Sequence, residues 1–176
     1  MRKQKEEKLK EEKFWSTFFY FNVPKNKTEL PAHLNRVNFR LWHHVCDLDL
    51  LRMVSKVKSI NMLDLDETDI TNNGIQHLTQ LHQLKELRLK GIKAIDDDCL
   101  QYLNTFSDLE LLHLGGTSVT LGGITKLSSL KKLKVLLLSF TANPEIKEKM
   151  IQLKTQLPSC EFILNYKPYE FDLAVE

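Results

Sequence analysis

A repeating apolar pattern with a period of about 24 residues constrains the fold of this chain more than any other feature. Pairs of apolar residues separated by one residue recur at intervals of 24, 24, 25, 24 and 24 positions in the numbering. The pairs are Phe39/Leu41, Leu63/Leu65, Leu87/Leu89, Leu112/Leu114, Leu136/Leu138 and Cys160/Phe162. This period is typical of arrays in which each unit buries its apolar face only against its neighbours.

Residues suited to helix N-caps recur with the same period, except that the last of them comes one residue early. Their side-chain oxygens can accept hydrogen bonds from the free N–H groups at the start of a helix, and an apolar stripe follows each of them. These residues are Asp47, Thr71, Asp96, Thr120 and Asn143. Each unit is therefore predicted to contain a strand and a capped helix, which gives an α/β array with about six parallel strands.

Two segments, INMLDLDETDITNNGIQHLTQLHQL and LELLHLGGTSVTLGGITKLSSLKKL, resemble leucine-rich repeats of the ribonuclease-inhibitor-like subclass. The pattern, LxxLxLxxTxIT followed by a polar pair, glycine and an apolar helix, covers about residues 36–165. The resemblance implies a short leucine-rich-repeat solenoid, with the strands on its concave face and the helices on its convex face. The unit at 87–95 has one inserted residue and Ile92 in place of threonine, so we expect a bulged loop there.

A narrower similarity rests on three short segments of the chain. IDDDCLQYL, EKMIQLKTQLPSCEF and the Phe14-Trp15 pair resemble the mitochondrial coupling-factor-B family, short repeat proteins associated with respiratory-membrane complexes. The LPSC ending also resembles the last repeat of many bacterial leucine-rich-repeat proteins. The two resemblances imply different cellular settings, and the sequence leaves both open.

The segments outside the array are expected to protect its ends. Residues 1–13 are predicted to be a charged N-terminal extension, either helical or disordered, 14–35 an N-terminal cap, 36–165 the repeat domain, and 166–176 a C-terminal cap or tail. The N-terminal aromatics are spaced either for a capping helix or for an exposed anchor that contacts a partner or a membrane surface. They are Phe14, Trp15, Phe18, Phe19 and Phe21. Tyr166, Tyr169 and Phe171 are expected to cover the last strand.

The residues that alternate with the core leucines are predicted to face outward on the concave sheet. The predicted central column is Arg40, Asp64, Arg88, His113, Leu137 and Glu161, and the column after it begins at Trp42. The alternating charges at its start either pair with one another as a ladder of surface ion pairs or contact a partner and set its register. Farther along, an apolar patch beside His113 indicates either a partner site or a surface covered by the C-terminal tail. The predicted partner-binding residues are Arg40, Trp42, Asp64, Arg88, Leu111, His113, Val135 and Leu137, with Phe18 and Phe19 in the N-terminal segment.

Composition and motifs argue against several functional classes. A formal net charge of +2 does not favour nucleic-acid binding, which depends on basic contacts to phosphates. Neither a P-loop nor a nucleophile elbow is present, and no acid or nucleophile is expected to converge on His113. We therefore expect no catalytic activity, no small-molecule substrate and no cofactor. His43, His44 and Cys46 lack a second pair of ligands at the spacing that zinc sites require, so no metal site is expected.

Cysteine usage and hydropathy bear on the compartment. Cys46, Cys99 and Cys160 are too few and too scattered for a disulfide framework, and all three are predicted to be buried. No signal peptide or transmembrane segment is visible. The sequence therefore predicts an intracellular protein, either cytoplasmic or in the mitochondrial matrix.

Two functional hypotheses follow. The first is an interaction module that binds another protein through the concave sheet. The second is a structural or assembly subunit of a larger complex, of the coupling-factor-B type, held at the periphery of a membrane complex by its aromatic N-terminal segment. Fold alone does not decide between them.

Overall fold

Helices and strands alternate along the part of the chain that the computed structural model describes, which is residues 2–40, 42 and 44–171. The strands are β1 (His33–Asn38), β2 (Ser59–Asp64), β3 (Gln83–Arg88), β4 (Leu111–His113), β5 (Val135–Leu138), β6 (Glu161–Leu164) and β7 (Lys167–Pro168). The helices are α1 (Arg2–Asn22), α2 (Asp47–Lys56), α3 (Asn72–Leu78), α4 (Leu100–Leu103), α5 (Leu121–Ile124) and α6 (Ile146–Gln156). A 3₁₀ turn, Asp97–Cys99, leads directly into α4.

The seven described strands form a sheet in which each strand lies beside the next one in the sequence. Strands β1 to β6 are parallel, and β7 turns back to pair antiparallel with β6. Parallel neighbours need a crossover between them, which α2 to α6 supply. The predicted α/β class is confirmed.

One face of the sheet packs with the helices to form the hydrophobic core. Leu63, Leu87, Leu112 and Leu136 lie opposite one another on β2 to β5 and are fully buried. Successive side chains of a strand point to opposite faces. The residues between these leucines therefore lie on the other side of the sheet, which we call the open face.

The first strand is shifted by two residues from its predicted register. Val37 lies opposite Leu63 and is fully buried, where the sequence predicted Phe39. Phe39 continues the same pattern and is also fully buried, so the apolar-x-apolar pair of this unit is Val37/Phe39. Leu41, the second member of the predicted pair, lies outside the described residues.

The last parallel strand is shifted in the same way. Phe162, and not Cys160, lies opposite Leu136, 26 positions away in the numbering. The first and last units are longer because α2 and α6 have 10 and 11 residues, whereas α3 has 7. The predicted pairs at both ends are therefore wrong by two positions.

Three of the predicted N-caps are confirmed. The hydroxyls of Thr71 and Thr120 accept hydrogen bonds from the backbone N–H groups of Asn73 and Gly123, at 3.2 and 2.9 Å. Asp96 caps the 3₁₀ turn that precedes α4. These contacts provide acceptors for N–H groups at the start of the helix, which have no hydrogen-bond partner within it.

The predicted N-cap at Asp47 is wrong. Cys46 occupies the cap position and its N–H donates to Asp49 at 3.1 Å, while Asp47 is the first helical residue. The Asp47 carboxylate instead accepts from the N–H and the hydroxyl of Thr71 in the next unit, at 2.7 and 2.6 Å. Cys46 is exposed, which corrects the prediction that all three thiols are buried.

The predicted cap at Asn143 is also displaced. Helix α6 begins three residues later, at Ile146, and the Asn143 side chain accepts from the N–H of Glu145 at 2.8 Å. Asn143 therefore stabilises the turn that leads into the helix.

Side chains at the starts of the helices link successive units. Asp97 accepts from the N–H and the hydroxyl of Thr120 at 2.8 and 2.7 Å, which repeats the contact between Asp47 and Thr71. Asn72 donates to the Asp96 carboxylate at 2.6 Å, and the Asp96 N–H donates back to the Asn72 side-chain oxygen at 3.2 Å. Each of these contacts joins the cap region of one unit to that of the next.

The insertion in the third unit lies in the loop that follows β3, where a bulged loop was expected. The loop contains two consecutive turns. The backbone N–H of Ile92 donates to the carbonyl of Leu89, and the N–H of Ile95 donates to the carbonyl of Ile92. Both isoleucines are buried. Gly91 adopts φ +79° in this loop, a conformation that glycine tolerates without strain.

The N-terminal helix crosses the predicted boundary between extension and cap without a break. Phe14 and Phe18 are buried against the core, and Trp15 and Phe19 are partly buried. The Asn22 side chain accepts from the N–H of Asn38 at 2.8 Å. Helix α1 therefore covers the end of the sheet where β1 is the outermost strand.

At the other end, Tyr169 and Phe171 pack near β6. The Phe171 ring lies 5.9 Å from the ring of Phe162, and the Tyr169 ring lies 4.9 Å from that of Phe171. Tyr166, predicted to cover the last strand with them, is 73% exposed. Residues 172–176 of the predicted C-terminal tail lie outside the described residues.

Candidate functional site

The candidate site is the open face, whose rows of side chains are fixed by the strand register. The row that crosses the middle of the face contains Asn38, Asp64, Arg88, His113, Leu137 and Ile163. Four of these six residues stand where the sequence predicted them. Asn38 replaces Arg40 and Ile163 replaces Glu161, because the outer strands are shifted by two residues.

Arg40 lies beyond the end of β1, so its predicted position in the central row is wrong. It approaches Glu67 at 3.9 Å with both side chains largely exposed. Arg88, on β3, approaches Glu86 on its own strand at the same distance. The predicted ladder of alternating charges through Arg40, Asp64 and Arg88 is therefore not formed.

Trp42 does not lie in the row where it was predicted. Its ring packs against Phe39 at 4.8 Å and Phe14 at 5.8 Å, in an aromatic cluster beneath α1. Phe18 belongs to the same cluster and is fully buried, which corrects its candidacy as a contact residue. The Trp42 Nε1 atom is buried without a hydrogen-bond partner.

An apolar patch occupies the open face on β4 to β6. Leu111 lies opposite Val135 on the neighbouring strand, and Leu137 lies opposite Ile163. All four side chains are partly buried. Of the four, Ile163 is the residue that the sequence reasoning missed. The signal that could have found it is Phe162-Ile163-Leu164, a second apolar-x-apolar pattern two residues beyond the pair that was chosen.

Two carboxylates on the other half of the open face are almost fully buried. Asp64 is 6% exposed and Asp66 is 4% exposed. The Asp64 carboxylate accepts from the backbone N–H of Asp66 at 3.2 Å, and the Asp66 carboxylate accepts from that of Lys90 at 2.8 Å. Burial raises the pKa of Asp66, the Lys90 N–H lowers it, and the charge of Asp64 raises it again.

His113 lies on β4 between the two carboxylates and the apolar patch. It is 8% exposed, and its Nδ1 atom is buried without a hydrogen-bond partner. Burial lowers the pKa of His113; Asp66 acts to raise it and Arg88 to lower it. The imidazole is therefore neutral at pH 7, with one ring nitrogen able to accept a hydrogen bond.

Metal ions require particular side-chain groups. Within residues 2–40, 42 and 44–171, no three His, Cys, Asp or Glu side chains are arranged to hold a metal ion. His44 approaches Asp69 at 3.3 Å, and His43, the other histidine considered as a ligand, lies outside the described residues. The open face can thus offer an apolar surface, buried carboxylates and a hydrogen-bond acceptor.

No family model matches the chain, and no curated protein matches it. The geometry of the open face and of the N-terminal segment therefore carries the functional argument by itself.

The N-terminal segment forms a second candidate surface. A groove of about 610 Å³ lies between α1 and the start of α2, with Phe21, Trp42 and Leu48 among its apolar lining residues. Tyr20 is 73% exposed and Phe21 is 56% exposed at the end of α1. Phe19, predicted as a contact residue, is partly buried against the core.

Whether a helix could cross a membrane depends on its length and its apolar character. Among the described residues, none of the helices has both the length and the apolar character that crossing a membrane requires.

Proposed function

We propose that this chain is a short leucine-rich-repeat solenoid of the ribonuclease-inhibitor-like subclass that binds another protein through its concave face, without catalysis or a cofactor. In this interpretation the open face is the concave face and the helices line the convex face. Nucleic acid and small-molecule substrates are not part of the proposal.

The order and spacing of the strands support the solenoid interpretation. Parallel strands follow one another across the sheet in sequence order, with a helix in every crossover. Aligned core leucines recur every 24 or 25 residues through Leu63, Leu87, Leu112 and Leu136. Contacts between the helix starts of neighbouring units, such as the hydrogen bond that Thr71 donates to Asp47, are expected where each unit stacks only on its neighbours.

The apolar patch is the observation that carries the binding proposal. The core does not require apolar residues at Leu111, Val135, Leu137 and Ile163, because the equivalent positions on β2 and β3 include Asp64, Glu86 and Arg88. Contiguous apolar side chains on a surface often mark a protein interface.

Affinity capture from the native source tests this proposal. The wild-type chain is compared with Leu111→Asp/Leu137→Asp on the patch and with Ile151→Asp on α6, an exposed apolar control (50% exposed). We expect a partner to be lost with the patch variant and kept with the control. Circular dichroism establishes that each variant is folded. A partner that binds all three proteins equally would contradict the proposal.

The exposed aromatics at the end of α1 favour a second candidate function, a subunit of a larger assembly of the coupling-factor-B type. Tyr20 and Phe21 pack edge to face, with ring centroids 5.0 Å apart, and both are mostly exposed, although Phe21 also lies 6.2 Å from the ring of Trp42. Deleting residues 1–23 would also remove the buried Phe14 and Phe18. Tyr20→Asp/Phe21→Asp is therefore the appropriate variant. Loss of the partner with this variant alone would favour the assembly function.

The thiols bear on the proposed compartment. Cys46, Cys99 and Cys160 are all free, and Cys46 is exposed and open to oxidation. We propose a reducing environment, either the cytoplasm or the mitochondrial matrix.

A further inference from the structure

The two halves of the open face differ in chemistry. Strands β4 to β6 carry the apolar patch, whereas β2 and the loop after it carry the buried carboxylates of Asp64 and Asp66. A partner that covers both halves must therefore complement both the apolar patch and the carboxylates. The identity of its side chains is therefore restricted by the carboxylates as well as by the patch.

The nearby basic side chains make their closest contacts with other groups, and the Arg40 charge lowers the pKa of Asp66 only as the smallest of the effects on it. Arg88 approaches Glu86 and Arg40 approaches Glu67, each at 3.9 Å. The Lys90 ammonium lies 5.7 Å from the centroid of the Tyr166 ring. In the described part of the chain, neither Asp64 nor Asp66 forms an ion pair. Each carboxylate is left with a backbone N–H donor, from Asp66 for Asp64 and from Lys90 for Asp66.

Burial of carboxylates that have no cation within ion-pair distance is unfavourable, because the charged groups lose hydration without a close opposite charge to replace it. The charge of Asp64 acts to raise the pKa of Asp66, and burial acts in the same direction. Both effects are relieved by a cation placed beside the two carboxylates. The electrostatics of this half of the face therefore complement a positive charge.

His113 is an independent indication that something binds here. It lies two strands from Asp64 and directly opposite Leu137, so it separates the two halves. The side chain is more than nine-tenths buried, and its Nδ1 atom has no partner. Buried polar atoms are generally hydrogen-bonded, so an unpartnered ring nitrogen at the boundary between the two halves indicates that a polar partner is missing there.

Resting on the proposed function, we infer that the open face binds a protein segment that carries a basic side chain for Asp64 and Asp66 and apolar side chains for Leu137 and Ile163. Three strand spacings separate Asp64 from Leu137, or about 14 Å at about 4.8 Å each. An extended segment spans this distance in about four residues, and a helical one in about nine or ten. The recognised pattern is therefore a basic residue followed or preceded at that spacing by an apolar pair.

A displayed library of random 12-residue peptides tests the inference while the partner is still unidentified. The whole chain is the target, and Leu111→Asp/Leu137→Asp is used for counter-selection, so that only peptides that need the patch are kept. We expect these peptides to be enriched in Lys or Arg about four, or nine to ten, residues from an apolar pair. A synthetic representative is then measured by fluorescence polarisation.

Charge-removal variants provide the decisive comparison. Asp64→Asn/Asp66→Asn keeps the side-chain oxygens that accept the two backbone hydrogen bonds but removes both charges. Asp69→Asn, at a carboxylate that is 66% exposed, is the matched control. We expect the peptide to bind the double variant at least about tenfold more weakly than wild type, to bind the control unchanged, and to lose affinity in salt.

The other outcomes separate the two proposals. Peptides that need the patch but lack basic residues, or that bind Asp64→Asn/Asp66→Asn as well as wild type, would overturn the inference and leave protein binding by the face intact. A selection that yields no patch-dependent peptide would count against both the inference and the proposed function.

Discussion

Two adjacent glycines in α5 are expected to respond in opposite ways to replacement by alanine. A Cβ atom on Gly122 would make only an ordinary van der Waals contact, with Thr120 Oγ1 at 3.8 Å. A Cβ atom on Gly123 would overlap the carboxylate of Asp97. That carboxylate accepts two hydrogen bonds from Thr120, so Gly123→Ala displaces a link between neighbouring units.

The magnitudes follow from competing effects. Alanine is favoured over glycine in a helix by up to about 1 kcal/mol, so we expect Gly122→Ala to raise the free energy of unfolding by a few tenths to about 1 kcal/mol. Gly123→Ala has the same gain but loses the two hydrogen bonds from Thr120 to Asp97. Hydrogen bonds to charged groups contribute about 1.5 kcal/mol each at the low end of their range, which suits a partly exposed pair. The net effect is a loss of about 2 kcal/mol.

Urea denaturation followed by circular dichroism measures both changes, and thermal midpoints should move by roughly 2–4 °C for each kcal/mol in a domain of this size. Asp97→Ala/Gly123→Ala supplies the mechanistic control, because the clash disappears with the carboxylate. The double variant should be no less stable than Asp97→Ala alone. Equal effects of Gly122→Ala and Gly123→Ala would refute the argument, since helix propensity alone cannot distinguish two neighbouring positions.

Three further predictions concern the core, His113 and the thiols. Leu112→Asp, at a fully buried position, should unfold the chain, whereas Leu137→Asp on the open face should change the free energy of unfolding by less than about 2 kcal/mol in urea titrations. Because burial lowers the pKa of His113 from 6.5, the folded state holds fewer protons than the unfolded state just below that pH. Stability should therefore fall as the pH is lowered through this region, and His113→Gln should flatten the dependence measured at pH 7.5 and 5.5. Cys46, which is exposed, should react promptly with a thiol reagent, whereas Cys99, whose pKa burial raises to about 12, should react only on unfolding; an equally fast reaction of both in the native protein would contradict the burial.

The interior of the fold could be predicted from the sequence because two periodic signals coincide there. The core leucines and the capping residues recur with the same spacing, and the structure places Leu87 opposite Leu63 and Leu112 opposite Leu87. Thr71 and Thr120 cap their helices as predicted. A one-residue error in these units would have moved the leucines to the wrong face, so the pattern admits one register.

The ends could not be predicted in the same way, because each end offers two apolar-x-apolar patterns two residues apart. Val37/Phe39 and Phe39/Leu41 both fit the first strand, and a shift of two residues keeps the same face buried. The extra length of α2 and α6 decides the register, and the apolar pairs carry no information about it. This ambiguity misplaced Arg40 and hid Ile163 from the candidate site.

Burial on the open face was the least predictable property, and it bears most directly on binding. Alternation places Asp64 and His113 on the outward side of their strands and predicts exposed side chains. Parallel neighbours lie only about 4.8 Å apart, so side chains on adjacent strands of the open face crowd one another, and Asp64 and His113 are 6% and 8% exposed. Part of the desolvation of Asp64, Asp66 and His113 is therefore complete before any partner arrives. A partner that supplies the missing cation meets carboxylates that are already fixed and dehydrated, which is the condition under which polar contacts add most to affinity.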